Sequence, residues 1–262
     1  RLDPLFLSAE PVWNPLDWNG SVFGEVFAEL FGGQLGVVFL RTVSFVALAA
    51  LLCLLIGYPV AYYVSRRAGR WKVPLLVLLL APFWINYLMR MVAWQGLLDT
   101  EGLVNRSLLT LGLIDQPVGW LTGRPSTVIL GLVYGYIPFF ILPLYAALDR
   151  IDNSVIEAAR DLGASSWQAF RRITLPLSRQ GILAGLVLIM LPMFGDYYTP
   201  SLMALGNRPQ TRMIGNEIDL FIHSGVGGAK GAALTIILMG FVSLLMLYYL
   251  FSVARASREA AA

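Results

Sequence analysis

Asp196 is the acidic residue whose position most strongly suggests chemistry, because it interrupts a long apolar segment. Residues 180–195 carry no charge, and Tyr197 and Tyr198 directly follow the aspartate. A charged side chain at the centre of a bilayer costs about 2.5–3.5 kcal/mol unless it faces water or a partner. A carboxylate beside aromatic rings can bind an elongated ammonium ion by ion pairing and cation–π contact. Asp196 is therefore a candidate cation ligand; the alternative is that it pairs with Arg90 and neutralises a buried charge.

Polar and aromatic residues in two other apolar segments are further candidates for lining a solute pathway. With Asp196 and Tyr197 they form the predicted pathway set: Trp84, Asn86, Tyr87 and Tyr134. The alternative is that the tyrosines pack in the core or lie at a membrane interface.

Other kinds of chemistry are excluded by composition. The chain has one cysteine, Cys53, and one histidine, His223, so neither an internal disulfide nor a metal site built from clustered Cys or His is expected. No histidine-activated nucleophile is expected either, and the protein is predicted not to be an enzyme. A Walker A motif is absent, because Lys230 at the end of the nearest glycine-rich piece is followed by glycine. A net charge of +3 is too small to indicate nucleic acid binding.

The elements that position these residues are expected to be membrane-spanning helices, so the predicted fold class is an all-α polytopic bundle. Hydrophobic residues make up 57% of the chain and charged residues 13%, about half the usual charged share. Five apolar segments are long enough to cross a bilayer, which takes about 20 residues. They are residues 43–64, 73–98, 126–148, 180–205 and 231–254. Prolines at 59, 138, 143 and 192 interrupt these segments at four positions, and either serve packing or shape a pathway.

Basic residues predict the orientation of the bundle. The segments after the first and third spans, together with the C-terminal tail, hold 11 of the 19 basic residues. The positive-inside rule places these segments in the cytoplasm and the N-terminal side outside. Residues 1–35 are then expected to form an extracytoplasmic segment with a short interfacial helix, and residues 36–262 the membrane domain. An outside N-terminus is explained most simply by one more helix upstream, so a first span that the given chain lacks is expected.

The cytoplasmic segment of residues 151–177, here called the elbow, has strong local signals. Ser154 and Glu157 form a capping-box pattern that predicts a helix starting at Ser154. Gly163 suits the position just past its end. Ser165 and Gln168 offer a second capping box. A helix, a glycine turn and a second helix are therefore expected.

The elbow also resembles the E-A-A loop of permeases from binding-protein-dependent ABC importers. The matching positions are Glu157, Ala158 and Ala159, then Gly163, and finally Ile173, Leu175 and Pro176. The resemblance implies a type I importer permease (MetI-like) fold and a coupling helix that docks on a separate ATPase. The residues expected to take part are Ser154, Glu157, Ala158, Ala159, Arg160, Asp161, Gly163, Ala164, Leu175 and Pro176. Local capping alone would explain Glu157 and Gly163, but not the spacing to Leu175 and Pro176.

Longer stretches are similar to the permease branch that serves spermidine and putrescine importers. They are V-P-L-L-V-L-L-L-A-P-F-W-I-N-Y-L-M-R, G-L-V-Y-G-Y-I-P-F-F-I-L-P-L-Y, E-A-A-R-D-L-G-A-S and M-I-G-N-E-I. This resemblance implies polyamine uptake across a bacterial inner membrane, with a second permease, an ATPase dimer and an extracytoplasmic binding protein as partners. ATP and Mg²⁺ would bind the ATPase, and no cofactor is expected in this chain. The alternatives are a related ABC importer for iron, thiamine or phosphonate, or an ATP-independent transporter or channel.

Overall fold

The computed structural model describes residues 20–205, 208–224 and 227–261, with side chains of the last helix described as far as Val253. In these ranges every regular element is helical, which confirms the all-α prediction. The helices are α1 Ser21–Gly32, α2 Gln34–Arg66, α3 Lys72–Leu80, α4 Tyr87–Leu98, α5 Leu103–Thr110, α6 Pro125–Asp149, α7 Asn153–Asp161, α8 Ser166–Ala169, α9 Leu175–Leu177, α10 Arg179–Gly195, α11 Tyr198–Met203, α12 Ile214–His223 and α13 Gly228–Ala261. Short 3₁₀ segments at Gly69–Trp71 and Ala81–Trp84 and a π-helical segment at Phe170–Thr174 complete the set.

The number of spans agrees with the prediction once broken helices are counted. Three helical segments are individually long and apolar enough to cross a membrane: Gln34–Arg66, Pro125–Asp149 and Gly228–Val253. Two bent pairs, Gly69–Trp84 with Tyr87–Thr110 and Ser166–Leu177 with Arg179–Gly195, bring the total to five if each pair is one span.

Two predicted spans are less regular than expected. The span predicted over residues 73–98 breaks at Ile85, which is extended (φ −82°, ψ 139°) and comes after a 3₁₀ segment containing Pro82. Proline has no N–H to donate, and this removes a hydrogen bond where the helix ends. The span predicted to reach residue 205 ends at Gly195, and α11 is a separate helix. By contrast, Pro59, Pro138, Pro143 and Pro192 lie inside continuous helices.

The chain forms two compact units, each assembled from three segments. The first unit contains residues 1–47, 88–131 and 192–244, and the second contains residues 48–87, 132–191 and 245–262. The elbow lies wholly in the second unit and Asp196 in the first. The predicted division at residue 35 stays a prediction; α1 lies where the short interfacial helix is expected, and residues 1–19 lie outside the described residues.

Close helix packing in the second unit depends on glycines around one buried ring. Phe140 of α6 is fully buried. A Cβ added at Gly57 of α2 or at Gly185 of α10 would come within 2.7 Å and 2.8 Å of this ring. Small residues allow helix backbones to approach closely within a membrane, where packing is a main source of helix association. Three helices therefore meet at Phe140 at a separation that only glycine permits.

Candidate functional site

The first helix of the elbow, α7, starts one residue earlier than predicted. Its N-cap is Asp152, whose carboxylate accepts a hydrogen bond from the Ser154 backbone N–H at 2.9 Å. The prediction that Ser154 caps the helix is therefore wrong, because Asp152 is itself a strong capping residue and reaches the free N–H groups first. Ser154 instead lies in the first turn. The same hydrogen bond holds the pKa of the Asp152 carboxyl below its usual value, and nearby Arg66 acts in the same direction.

The turn at Gly163 has the geometry that the sequence predicts. Gly163 has φ +87°, in the left-handed region that side chains disfavour. Its N–H donates to the Arg160 carbonyl at 2.9 Å, and the Ala164 N–H donates to the Ala159 carbonyl at 3.0 Å. This pair of bonds is a Schellman motif, which satisfies the carbonyl groups at a helix end. The chain therefore reverses rigidly just after α7.

The second helix of the elbow begins with the predicted capping box. The Ser165 hydroxyl accepts from the Gln168 N–H at 3.2 Å, and the Gln168 side chain accepts from the Ser165 N–H at 2.8 Å. Arg160 of α7 also donates to the Ser166 hydroxyl across the turn at 3.5 Å. Both helices of the elbow are thus closed by local hydrogen bonds around Gly163.

Two basic residues, Arg66 and Lys72, hold the elbow and the end of α6 to other helices of the same unit. Arg66, at the end of α2, donates to the Asn153 side chain at 2.5 Å and to the Leu148 carbonyl at 2.9 Å. Lys72 forms a 2.6 Å ion pair with Asp149. These contacts, here called the basic clasp, hold the link between α6 and α7 from both sides. Opposite charges in short loops predicted to share one face are the signal that could have revealed the clasp.

The predicted coupling residues form a largely exposed surface. Seven of them are exposed on the helices around the turn: Ser154, Glu157, Ala158, Arg160, Asp161, Leu175 and Pro176. Gly163 is exposed as well, whereas Ala159 and Ala164 are half-buried. Next to the turn, the apolar side chain of Leu162 is 89% exposed. The elbow therefore presents small, charged and apolar groups on short helices on both sides of the Gly163 turn, and their role in coupling stays a prediction.

Asp196 lies in the interruption between α10 and α11, here called the Asp196 break. Its side chain is buried, with 7% of the residue exposed. One carboxylate oxygen accepts from the Thr199 N–H at 3.0 Å and the other from the Thr199 hydroxyl. These bonds cap the short helix α11, so the carboxylate has a structural role that neither sequence-based alternative anticipated.

A second polar residue, Asn216, connects the Asp196 break to α12. Its amide nitrogen donates to the Tyr197 carbonyl at 3.0 Å and to the Ser201 hydroxyl at 2.8 Å, while its oxygen accepts from the Met213 N–H at 2.9 Å. Asn216 is 2% exposed. Both donor positions and one acceptor position of the amide are therefore used to hold backbone and side chains around Asp196.

The other predicted pathway residues lie in the second unit. Trp84 is 82% exposed and Asn86 is exposed as well. Tyr87 and Tyr134 are half-buried; the Tyr87 ring lies 6.3 Å from that of Tyr136, and the Tyr134 ring 6.1 Å from that of Phe83. Tyr197 belongs with Asp196 to the first unit, and its ring lies 4.0 Å from that of Tyr198. Their role in a pathway stays a prediction.

Five apolar spans and an exposed helical elbow between two of them are the features of a membrane permease. The chain belongs to the family of binding-protein-dependent transport system inner membrane components, whose model matches residues 37–257. It is 40% identical over 212 residues to the spermidine/putrescine transport system permease protein PotB of Escherichia coli K12, covering 81% of this chain and 76% of that protein.

Solved structures give the same fold. A chain of a bacterial ABC transporter that imports the acidic polysaccharide alginate matches with a TM-score of 0.75 at 20% identity, over 92% of this chain and 85% of that one. A chain of the alginate transporter in complex with a periplasmic protein carrying an alginate pentasaccharide matches with a TM-score of 0.73 at 20% identity, over 87% and 83% of the two chains. The fold is therefore that of an ABC importer permease.

Proposed function

We propose that this chain is a permease subunit of a polyamine importer in a bacterial inner membrane. The observation that carries the proposal is the 40% identity, over most of both chains, to a spermidine/putrescine permease. A second permease subunit would complete the pathway, and an extracytoplasmic binding protein would deliver the polyamine. ATP would be hydrolysed by a dimer of ABC ATPase subunits on the other side.

The elbow is the proposed contact with the ATPase. A docking surface that transmits force has to keep its shape under load, and the elbow's shape is set by the Asp152 cap, the Gly163 turn and the Ser165 capping box. Glu157, Arg160 and Asp161 offer ion pairs, and Ala158 allows close approach. The basic clasp ties the start of α7 to α2, so that a force applied by the ATPase at the elbow would reach the rest of the unit.

The pathway residues are proposed to recognise a flexible cation. Aromatic rings and a carboxylate together stabilise ammonium groups through cation–π contact and ion pairing. A residue that already caps a helix through Thr199 is held in one orientation, and this lowers the cost of ordering it around a substrate. The residues proposed for this role are Asp196, Tyr197, Trp84, Asn86, Tyr87 and Tyr134.

The test is uptake into vesicles that contain the reconstituted complex. Radiolabelled spermidine or putrescine should accumulate only with ATP and the binding protein, and unlabelled polyamine should compete. Accumulation without ATP would indicate a secondary transporter. ATP-dependent uptake of iron, thiamine or a phosphonate, but of neither polyamine, would assign the permease to another branch.

Contact with the ATPase is tested separately by adding bulk to the elbow. Ala158 is exposed on α7, so Ala158→Trp should block co-purification of the ATPase without disturbing the fold. Ser107→Trp adds the same bulk at an exposed position of α5 and is the matched control. Equal co-purification in both variants would place the ATPase contact elsewhere.

A further inference from the structure

The helical stretch after the elbow's glycine turn contains an unusual element. Phe170–Thr174 is π-helical, between the α-helical segments α8 and α9. A π-helical turn holds an extra residue, and such turns are rare and frequently lie at functional sites. Conversion to regular α-helix would rotate α9 relative to α8 by about 100° and shift it by about 1.5 Å for each residue of register. We call Phe170–Thr174 the π segment.

Three aromatic rings surround the first residue of the π segment. The Phe170 ring meets Tyr58 edge-on at 5.7 Å and Tyr62 edge-on at 5.8 Å, measured between centroids, and stacks on Trp167 at 5.4 Å. Tyr58 and Tyr62 are one helical turn apart on α2, so they face Phe170 together. Edge-to-face pairs are directional and favourable beyond the apolar area they bury. We call these four residues the aromatic socket.

Tyr58 also makes a contact beyond the other end of the π segment, at Ser178. The Tyr58 hydroxyl lies 2.9 Å from the hydroxyl of Ser178, which is fully buried, and Ser178 also donates to the Leu175 carbonyl at 3.1 Å. Tyr58 therefore touches Phe170 with its ring and Ser178 with its hydroxyl. The π segment, which departs from α geometry, lies between these two contacts.

We propose that the aromatic socket is the joint through which movement of the elbow reaches α2, with the π segment as the compliant part of that joint. This inference rests on the proposed function, since it assigns the internal route of a force applied to the elbow. Tyr58 and Phe170 are positioning residues, and neither is among the residues proposed to bind the substrate or the ATPase. Loss of the joint leaves ATPase binding intact and lowers the number of solute molecules imported for each ATP hydrolysed.

The experiment measures that ratio in reconstituted complexes. Phe170→Leu keeps an apolar side chain but removes the ring, and Tyr58→Phe removes only the hydroxyl. Phe39→Leu is the matched control, because Phe39 is also half-buried and meets the Phe241 ring edge-on at 5.3 Å in the other unit. Loss of one aromatic pair changes the equilibrium constant between two conformations about 2- to 12-fold.

Phe170→Leu is expected to lower the import-to-hydrolysis ratio at least about fourfold, since it weakens two edge-on pairs and one stack. Tyr58→Phe should lower the ratio about twofold or more, because it deletes one hydrogen bond. Co-purification of the ATPase should match wild type in both, and Phe39→Leu should keep the wild-type ratio. If the complex with Phe170→Leu does not assemble, the ratio measured for Tyr58→Phe tests the proposal alone, because this variant retains the ring packing.

An unchanged ratio in Tyr58→Phe, or an equal fall in Phe39→Leu, would overturn the inference. These results differ from failure of the proposed function, in which the wild-type complex itself would neither bind an ATPase nor import a polyamine.

Discussion

The elbow and the Asp196 break are both places where a helix stops and another begins, yet they are built differently. In the elbow, the bonds that set the turn join residues at most six positions apart, from Ala159 to Gln168. At the Asp196 break, Asn216 reaches back to Tyr197 and Ser201. Most of the predicted coupling residues of the elbow are exposed, whereas Asp196, Thr199 and Asn216 are buried. The turn of the elbow is thus set within one short stretch of chain, whereas the Asp196 break also depends on a residue of α12.

This difference predicts how the two regions respond to substitution. Changes at the exposed residues around the elbow's turn should affect partner binding, because their side chains are available to a partner. Changes at the break should affect both transport and local packing, because its polar groups also hold the backbone. Substitutions in each region, paired with matched controls, separate these effects.

The largest effect is expected for Gly163→Pro. Proline fixes φ near −65° and cannot adopt +87°, and it also removes the N–H that bonds to Arg160. Co-purification of the ATPase should be lost, and ATP-driven uptake with it. Gly112→Pro is the matched control in the other unit: Gly112 has φ +67°, and its N–H donates to Leu109. If Gly163→Pro retains the ATPase as well as Gly112→Pro does, the elbow is not the contact.

At the Asp196 break, Asp196→Asn is expected to lower polyamine uptake roughly 10- to 100-fold, because a charge-assisted contact to an ammonium group is lost. Thr199→Val keeps the carboxylate and removes only the hydroxyl that donates to it. This variant should retain uptake to within about threefold. The initial rates of polyamine uptake by the Asp196→Asn and Thr199→Val variants are the measurement. Equal losses would show that Asp196 acts through its bonds to Thr199 and not as a ligand.

The basic clasp is expected to give an intermediate effect. Arg66→Gln removes the two bonds to Asn153 and Leu148 and should weaken ATP-driven uptake roughly 5- to 30-fold, corresponding to about 1–2 kcal/mol. Arg66→Lys should restore part of the loss, since an ammonium group keeps the charge but not the planar fork. Arg67→Gln, at the exposed neighbouring position, controls for the loss of a positive charge. Similar uptake in the Arg66 and Arg67 variants would contradict a specific role for the clasp.

The smallest effect concerns the start of α7. Asp152→Ala should speed hydrogen exchange of the first amides of α7 about fivefold, whereas Ser154→Ala should leave it near wild type. The bond to Ser154 lowers the pKa of the Asp152 carboxyl, so the cap is complete above the usual pKa of an aspartate and is lost as the pH falls through the lowered value. The two variants should therefore exchange alike in strong acid. A larger effect of Ser154→Ala than of Asp152→Ala at neutral pH would show that Ser154, and not Asp152, caps α7.

Sequence reasoning succeeded where structure is local. The Gly163 turn and the Ser165–Gln168 capping box follow from residue types at fixed spacing, and both are present. The cap of α7 was misassigned because Asp152 and Ser154 both have capping side chains and only the backbone course decides between them. Long apolar segments likewise predicted five spans, since length and hydropathy are sufficient for that conclusion.

Features that depend on distant residues could not be predicted in this way. The bonds from Asn216 to the Asp196 break join residues 15 and 19 positions apart, and those of Arg66 join residues 82 and 87 apart. No spacing in the sequence encodes such pairs. The π segment could not be predicted from the sequence either, because its residues, F-R-R-I-T, would suit a regular α-helix.

The central claim, that the elbow contacts an ATPase, is tested most directly by cross-linking in the reconstituted complex. A single cysteine at exposed Ala158 would be placed in a Cys53→Ala background, with Leu113→Cys, 67% exposed in the other unit, as the comparison. The expected result is a cross-link to the ATPase from position 158, with a yield that changes when ATP is added, and none from position 113. Absence of the product at 158, or equal yields from both positions, would contradict the account.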